Sequence, residues 1–246
     1  MRWTSWGGEE VRLPEFFLFN ESSRHVYRGI ISPLLRLLVR LHVHPNAVTT
    51  AGFVLSIAAG VVYSTGNIYL GGWTVALAGT CDILDGQLSR TTGRSSAFGA
   101  FYDSCLDRYS DSFILMGLAW YFAGGPALFW SPNTDHPDQY SPVTVVMIIL
   151  ALSGSFLTSY VRARAEAGGI ECTVGRMQRT ERFIYLLVAS AAGSIPGVGI
   201  PLLKIALALY AFLTNLTAVR RIVHVGRIIL RETPGGKDPR RSEPRV

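Results

Sequence analysis

Six blocks of apolar residues, most of them near the length of a bilayer span, dominate this chain. They run near Asn46–Tyr63, Ile68–Ser89, Ala97–Ala123, Pro142–Val161, Thr180–Ile195 and Val198–Val219. A helix needs about 20 predominantly apolar residues to cross the hydrocarbon core. Only helices and closed barrels satisfy their own backbone polar groups at that depth. The block Thr180–Ile195 is the shortest. Composition agrees with the blocks: charged residues make up 16% and hydrophobic residues 49%, against about 25% charged in a soluble domain.

The basic residues fall between alternate blocks. Arg24, Arg28, Arg36 and Arg40 precede the first, and Arg90 and Arg94 separate the second from the third. Arg162, Arg164, Arg176, Arg179 and Arg182 separate the fourth from the fifth, and Arg220, Arg221, Arg227 and Arg231 follow the sixth. The other connections are nearly bare: Gly66-Asn67 has no charge, and Gly124–Ser141 carries Asp135 and Asp138 but no Lys or Arg. Lys204 is the exception. The positive-inside rule then puts both termini in the cytoplasm, which requires an even number of spans and supports counting the fifth. The formal charge of +6 points to an anionic lipid bilayer as partner and not to nucleic acid, because the arginines lie between apolar blocks.

Before the first block, Ser22–Leu41 mixes arginines with Ile30, Ile31, Leu34, Leu35, Leu37 and Leu38. That pattern predicts an amphipathic helix lying in the membrane interface and bent at Pro33. The N-terminus shows no short apolar core with a small-residue cleavage site, so no signal peptide is expected. Cys81, Cys105 and Cys172 form neither a disulfide framework nor a metal-binding spacing. The expected fold class is an all-α integral membrane protein, six transmembrane helices preceded by the amphipathic helix. The domain organisation is an N-terminal extension (residues 1–21), the transmembrane domain (22–231) and a disordered basic tail (232–246) rich in Pro, Gly and Arg.

Charges within membrane spans are expensive and are read as functional by default. Here Asp82 and Asp85 end the second block, and Asp103, Asp107 and Asp111 lie in the first half of the third. Asp82 and Asp85 are three residues apart and share a helix face; Asp103 and Asp107, four apart, share another. Because the two helices are consecutive and antiparallel, four carboxylates can converge on one point near the cytoplasmic side. Four such anions could not all stay ionised in a low-dielectric site unaided. Divalent cations resolve that, and oxygen donors favour Mg²⁺, Mn²⁺ or Ca²⁺. Gly86 and Gly99 leave room for close approach, and Arg90 is a forked donor suited to phosphate. Together these residues describe a diphosphate site. The competing structural reading is a buried ion-pair network joining helices. Asp111 is expected to support the site or to pair with Arg108.

The run Asp82-Ile-Leu-Asp85-Gly86-Gln-Leu-Ser89-Arg90, then eight residues, Gly99, three residues, Asp103, three residues, Asp107 resembles the signature of the CDP-alcohol phosphotransferases, D-x2-D-G-x2-A-R-x8-G-x3-D-x3-D. Every spacing agrees. Ser89 stands where the family has Ala, and its hydroxyl is expected to bond to the preceding helical turn. Pro45-Asn46-Ala47-Val48-Thr49 resembles the family's P-N-x-x-T entry to the first span; without that role, Asn46 reads as a helix N-cap. The resemblance implies that Asp82, Asp85, Asp103 and Asp107 bind metal, Mg²⁺ or Mn²⁺ with two ions per site, and that Asp107 is the general base. It further implies that Asn46, Thr49, Gly86, Arg90 and Ser96 contact the CDP-lipid, and that the enzyme is a homodimer. The reaction implied is transfer of the lipid-linked phosphate of CDP-diacylglycerol or CDP-archaeol to an alcohol, with release of CMP at the cytoplasmic face.

The stretches Ser159–Glu166 and Gly175–Arg182 resemble the subgroup of this family that uses inositol phosphate. There, a basic pocket holds the acceptor phosphate, and Arg162, Arg182 and Arg221 match it. A phosphorylated acceptor needs such forked donors. Arg162 and Arg164 are two apart and cannot both face one pocket if that stretch is helical. Three alternatives stand beside this reading: the arginines serve only the positive-inside rule, the acceptor is glycerol phosphate, or the aspartates belong to a cation transporter.

Overall fold

A computed structural model describes residues 21–125, 140–170, 172, 174 and 179–232. The predicted extension before residue 21, the tail beyond Glu232, Arg176, and the connection bearing Asp135 and Asp138 lie outside them. The described residues form seven helices and no strand: α1 (Glu21–Arg40), α2 (Pro45–Ser64), α3 (Ile68–Thr91), α4 (Ala97–Phe122), α5 (Pro142–Ala167), α6 (Arg179–Gly193) and α7 (Gly199–Glu232). Helices α2 to α7 coincide with the six apolar blocks, and α1 with the amphipathic segment, running on through Pro33.

Local chemistry sets several boundaries. Helix α2 begins at Pro45, whose missing N–H is no loss in a first turn. Its N-cap is His44 and not Asn46: the His44 Nδ1 accepts from the Asn46 amide at 3.2 Å. Asn67 caps α3 by accepting from the Leu70 amide at 3.1 Å, and Ser96 caps α4 by accepting from Gly99 at 3.0 Å. Two helices outrun their apolar blocks. Helix α5 continues through Arg162 and Arg164 to Ala167, and α7 continues through the terminal arginines. Hydropathy finds the membrane-embedded part of a helix, whereas backbone hydrogen bonding carries on into charged sequence.

Packing closes the helices into a ring, in the spatial order α2, α3, α6, α7, α5, α4 and back to α2, with α1 resting on α3. The core, including Tyr63, Val75, Leu118, Phe122, Ile148, Leu207 and Tyr210, fills the ring. Ile31 and Leu35 of α1 pack with Val48, Ile83, Leu84 and Leu88, while Leu37 and Leu41 stay exposed. The α2–α4 crossing has no room for side chains: a Cβ on Gly117 would collide with the Gly60 carbonyl, and one on Gly60 with the Phe113 carbonyl. Polar groups join α5 to α7, where Thr158 Oγ1 donates to the Thr214 carbonyl and Asn215 Nδ2 to the Leu150 carbonyl, as expected where lipid offers no hydrogen-bonding competitor.

Outside the ring, large apolar side chains point outward, among them Val61, Trp73, Leu77, Met116, Ile149, Ile205 and Phe212. A contiguous apolar exterior on this scale marks a lipid-facing surface. Among the described residues, α2, α5 and Gly199–Leu230 of α7 are long and apolar enough to cross a membrane. Helices α3 and α4 are as long, at 24 and 26 residues, but carry the aspartates and arginines that lower their hydropathy. Helix α6 has 15 residues. The protein is therefore an all-α, membrane-type fold.

Candidate active site

Alternating helix direction brings one end of every ring helix together. That end carries Asn46 and Thr49 of α2, Asp82, Asp85, Gly86 and Arg90 of α3, and Asp103 and Asp107 of α4. Arg162 of α5, Arg182 of α6 and Arg221 of α7 lie at the same end. Carboxylate oxygens of Asp82, Asp85 and Asp103 lie within 4.8 Å of one another. Asp107 is outside that triple but lines the same cavity, together with Thr49, Gly52 and Ser110. The cavity measures ≈ 10 Å³, about the room for one water or a bare ion.

The donor set fits a hard divalent cation: three carboxylates from two helices, all oxygen, with no thiolate or imidazole in the group. Asp85 is buried and Asp82 and Asp103 are partly so. Carboxylates gathered at such burial repel one another unless a cation intervenes, so the cluster favours a metal over a bare acidic surface.

Thr49 lines the carboxylate cavity, and the other four groups expected to meet CDP-lipid fall into two sets. Asn46 and Ser96 close around Gly99, where a Cβ would lie 3.2 Å from Asn46 Oδ1 and 3.1 Å from Ser96 Oγ. The Ser96 hydroxyl also caps α4, so it has a local structural duty. On the other side, a Cβ on Gly86 would meet only Arg90 Nη2, at 3.6 Å. The Gly86 face is thus open, with an exposed guanidinium one turn away. The Ser89 hydroxyl bonds to Ser95 Oγ at 3.1 Å, across the α3–α4 connection, and not to its own helix. Arg94 Nη1 ties the same connection to the His42 carbonyl.

The arginines differ in their surroundings. Arg162 is exposed and pairs with Glu166 one turn on, at 2.8 Å. Arg164 is exposed as well, and both sit on the helical end of α5. Arg221 is buried; its Nε donates to the Val174 carbonyl at 2.7 Å and its Nη1 to the Thr158 carbonyl at 2.8 Å. Arg182 is buried, and its Nη1 donates to Asp111 Oδ2 at 2.7 Å and to Ser155 Oγ. Ser155 in turn donates to Asp111 Oδ2 at 2.6 Å. Asp111 therefore pairs with Arg182 and not with Arg108, which turns back to the Ser104 carbonyl of its own helix. The reason is burial. Asp111 faces the ring interior, where an unpaired carboxylate is costly, and only a side chain from another helix reaches it. Sequence reasoning missed Ser155 altogether, since one serine in an apolar helix carries no signal.

The model of the family described as CDP-alcohol phosphatidyltransferase matches residues 42–233. The chain belongs to this family. Among its relatives, the archaetidylinositol phosphate synthase of Methanothermobacter thermautotrophicus is 34% identical over 207 residues, covering 84% of this chain and 95% of that protein. The phosphatidylinositol phosphate synthase of Cutibacterium acnes is 34% identical over 215 residues, covering 84% and 97%. Among solved structures, the phosphatidylinositol phosphate synthase of Mycobacterium tuberculosis with CDP-DAG bound superposes with a TM-score of 0.68 at 29% identity, covering 89% of this chain and 100% of that one. The same enzyme in complex with manganese and citrate gives a TM-score of 0.67 at 28% identity. The chain is thus a CDP-alcohol phosphatidyltransferase, a membrane transferase of phospholipid synthesis, and its carboxylate cluster lies in the segment that carries the family signature.

Proposed function

We propose that this phosphatidyltransferase moves the lipid-linked phosphate of a CDP-lipid, CDP-diacylglycerol or CDP-archaeol, onto inositol phosphate and releases CMP. The observation that carries the reaction is the meeting of Asp82, Asp85 and Asp103 at one point, beside Asp107 and the open Gly86–Arg90 face. Asp82, Asp85, Asp103 and Asp107 hold Mg²⁺ or Mn²⁺, which supplies charge neutralisation on the diphosphate and on the departing CMP. Asn46, Thr49, Gly86, Arg90 and Ser96 bind the CDP moiety. Asp107 accepts the proton of the acceptor hydroxyl. That oxygen bonds to the lipid-side phosphorus, the bond from phosphorus to the CMP oxygen breaks, and CMP leaves with the electron pair.

The acceptor assignment is supported by the relatives' names and by the gathering of Arg162, Arg182 and Arg221 at the carboxylate end. Guanidinium groups grip phosphate bidentately, a capacity a neutral alcohol would not call on. We further propose a six-span topology with α1 in the interface, both termini and the active site cytoplasmic, and a homodimeric assembly. The domain unit is residues 22–231.

Purified protein given labelled CDP-diacylglycerol and a panel of inositol phosphate, glycerol phosphate, inositol and serine tests the acceptor. CMP release is expected with inositol phosphate above all others. Release with glycerol phosphate alone would assign the glycerol-phosphate reaction instead.

A further inference from the structure

The pair Asp111–Arg182 does more than neutralise two buried charges. Asp103, Asp107 and Asp111 succeed one another at four-residue intervals and form one stripe along α4. The first of them joins the carboxylate cluster and the last holds Arg182. One rigid helix face therefore sets the separation between the proposed base and Arg182, with one turn, about 6 Å of rise, between Asp107 and Asp111. Helix α5 completes the frame. Ser155 bridges Asp111 and Arg182, and one turn further the Thr158 carbonyl holds Arg221. The fully buried Tyr210 lies near both Asp111 and Arg182, which keeps water from competing for them.

The disposition of the guanidinium is the second observation. Its planar fork offers an end-on pair of N–H groups and a side-on pair, the latter shared by Nε and Nη2. Nη1 is committed to Asp111 and Ser155. Nε is buried and has no hydrogen-bond partner among the described residues. A buried donor left unpaired is unfavourable, and an anionic oxygen arriving at the side-on edge would satisfy it in the geometry that phosphate prefers.

We propose that Asp111 and Ser155 are positioning residues for the transfer: they pin Nη1 of Arg182 so that its Nε–Nη2 edge is held ready for the phosphate of the incoming alcohol. This rests on the reading of Arg182 as an acceptor-phosphate ligand. It adds two side chains that touch neither substrate and act through the arginine. Carboxylate and hydroxyl have separate duties. Asp111 supplies the charge that keeps Arg182 buried, and Ser155 fixes the direction of the shared hydrogen bonds.

The test compares Ser155→Ala, Asp111→Asn, Arg182→Ala and the double variant Asp111→Asn/Arg182→Ala in the full-length protein. Readouts are the KM for the phosphorylated acceptor selected by the panel, the KM for CDP-diacylglycerol, and thermal stability. Ser155→Ala removes two hydrogen bonds, both to charged partners, and should raise the acceptor KM roughly tenfold to a hundredfold. Asp111→Asn removes a charge-assisted one and should raise it roughly tenfold to a hundredfold. Both should leave the KM for CDP-diacylglycerol unchanged, and the double variant should match Arg182→Ala, since a residue acting through the arginine has nothing left to position. A purely structural role predicts lower stability with an unchanged acceptor KM, and that result overturns the proposal. Should Asp111→Asn fail to fold, Ser155→Ala decides the matter alone. If Arg182→Ala raises the acceptor KM while neither Ser155→Ala nor Asp111→Asn does, positioning is refuted and the acceptor reading stands. If Arg182→Ala leaves that KM unchanged, or no phosphorylated acceptor is turned over, both fall together.

Discussion

Gly86→Ala separates a requirement of the substrate from a requirement of the fold. A Cβ at this position meets nothing but Arg90 Nη2, at 3.6 Å, an ordinary contact with the far end of a flexible side chain. The substitution therefore strains nothing in the protein alone. It replaces a helix-interior glycine by alanine, a change that favours the helix by about 0.8–1.0 kcal/mol. The melting temperature should hold or rise. If the CDP diphosphate lies across this face, however, the added methyl occupies its space. Overpacking of this kind costs about 1–3 kcal/mol, which at about 1.4 kcal/mol per decade is roughly 5- to 150-fold in binding. CMP release measured against CDP-diacylglycerol concentration reads that as a higher KM. Gly117→Ala is the comparison. Its Cβ would fall on the Gly60 carbonyl, and a backbone atom cannot rotate away, so α2 and α4 must part and the melting temperature should drop. A Gly86→Ala protein with unchanged melting temperature and unchanged KM for CDP-diacylglycerol would refute the reasoning, because the open face would then be only a gap toward lipid or water.

Chelation should abolish CMP release and Mg²⁺ or Mn²⁺ restore it, with Asp82→Ala, Asp85→Ala and Asp103→Ala each weakening metal-dependent CDP-lipid binding, while Asp107→Asn keeps that binding and loses about 10²–10⁴-fold in turnover; full activity in any of the four contradicts the assignment. For topology, a cysteine introduced at position 134, between α4 and α5, should be labelled by an impermeant reagent from outside the cell, and labelling from the cytoplasm alone rules out the six-span arrangement.

Much of the fold was legible because the membrane simplifies the problem. Apolar blocks predicted α2 to α7, since an interior without water forces every backbone group into a helix. The signature aspartates were legible for a related reason: carboxylates at three- and four-residue spacing on consecutive antiparallel helices have few places to go except toward each other. Local chemistry was read less well. Asn46 looked like the cap of α2, but His44 one residue before the proline takes that role through its ring nitrogen. The Ser89 hydroxyl was expected on its own helix and instead reaches Ser95 across a turn.

By itself, then, the sequence determined the helical class, the places of the described helices, the end of the bundle at which the charges collect, and the oxygen-donor character of the cluster. All of these follow from spacing along single helices and from the cost of charge in lipid. Only the tertiary structure decided which residues from different helices meet. The ring order places α3 against α6 and α5 against α7, and no pattern within one helix encodes that order. It is this order that takes Asp111 from its near neighbour Arg108 and gives it to Arg182, 71 residues away, with Ser155 between them. A buried charge pairs with whichever opposite charge packing brings within reach, and distance along the chain has no part in that choice.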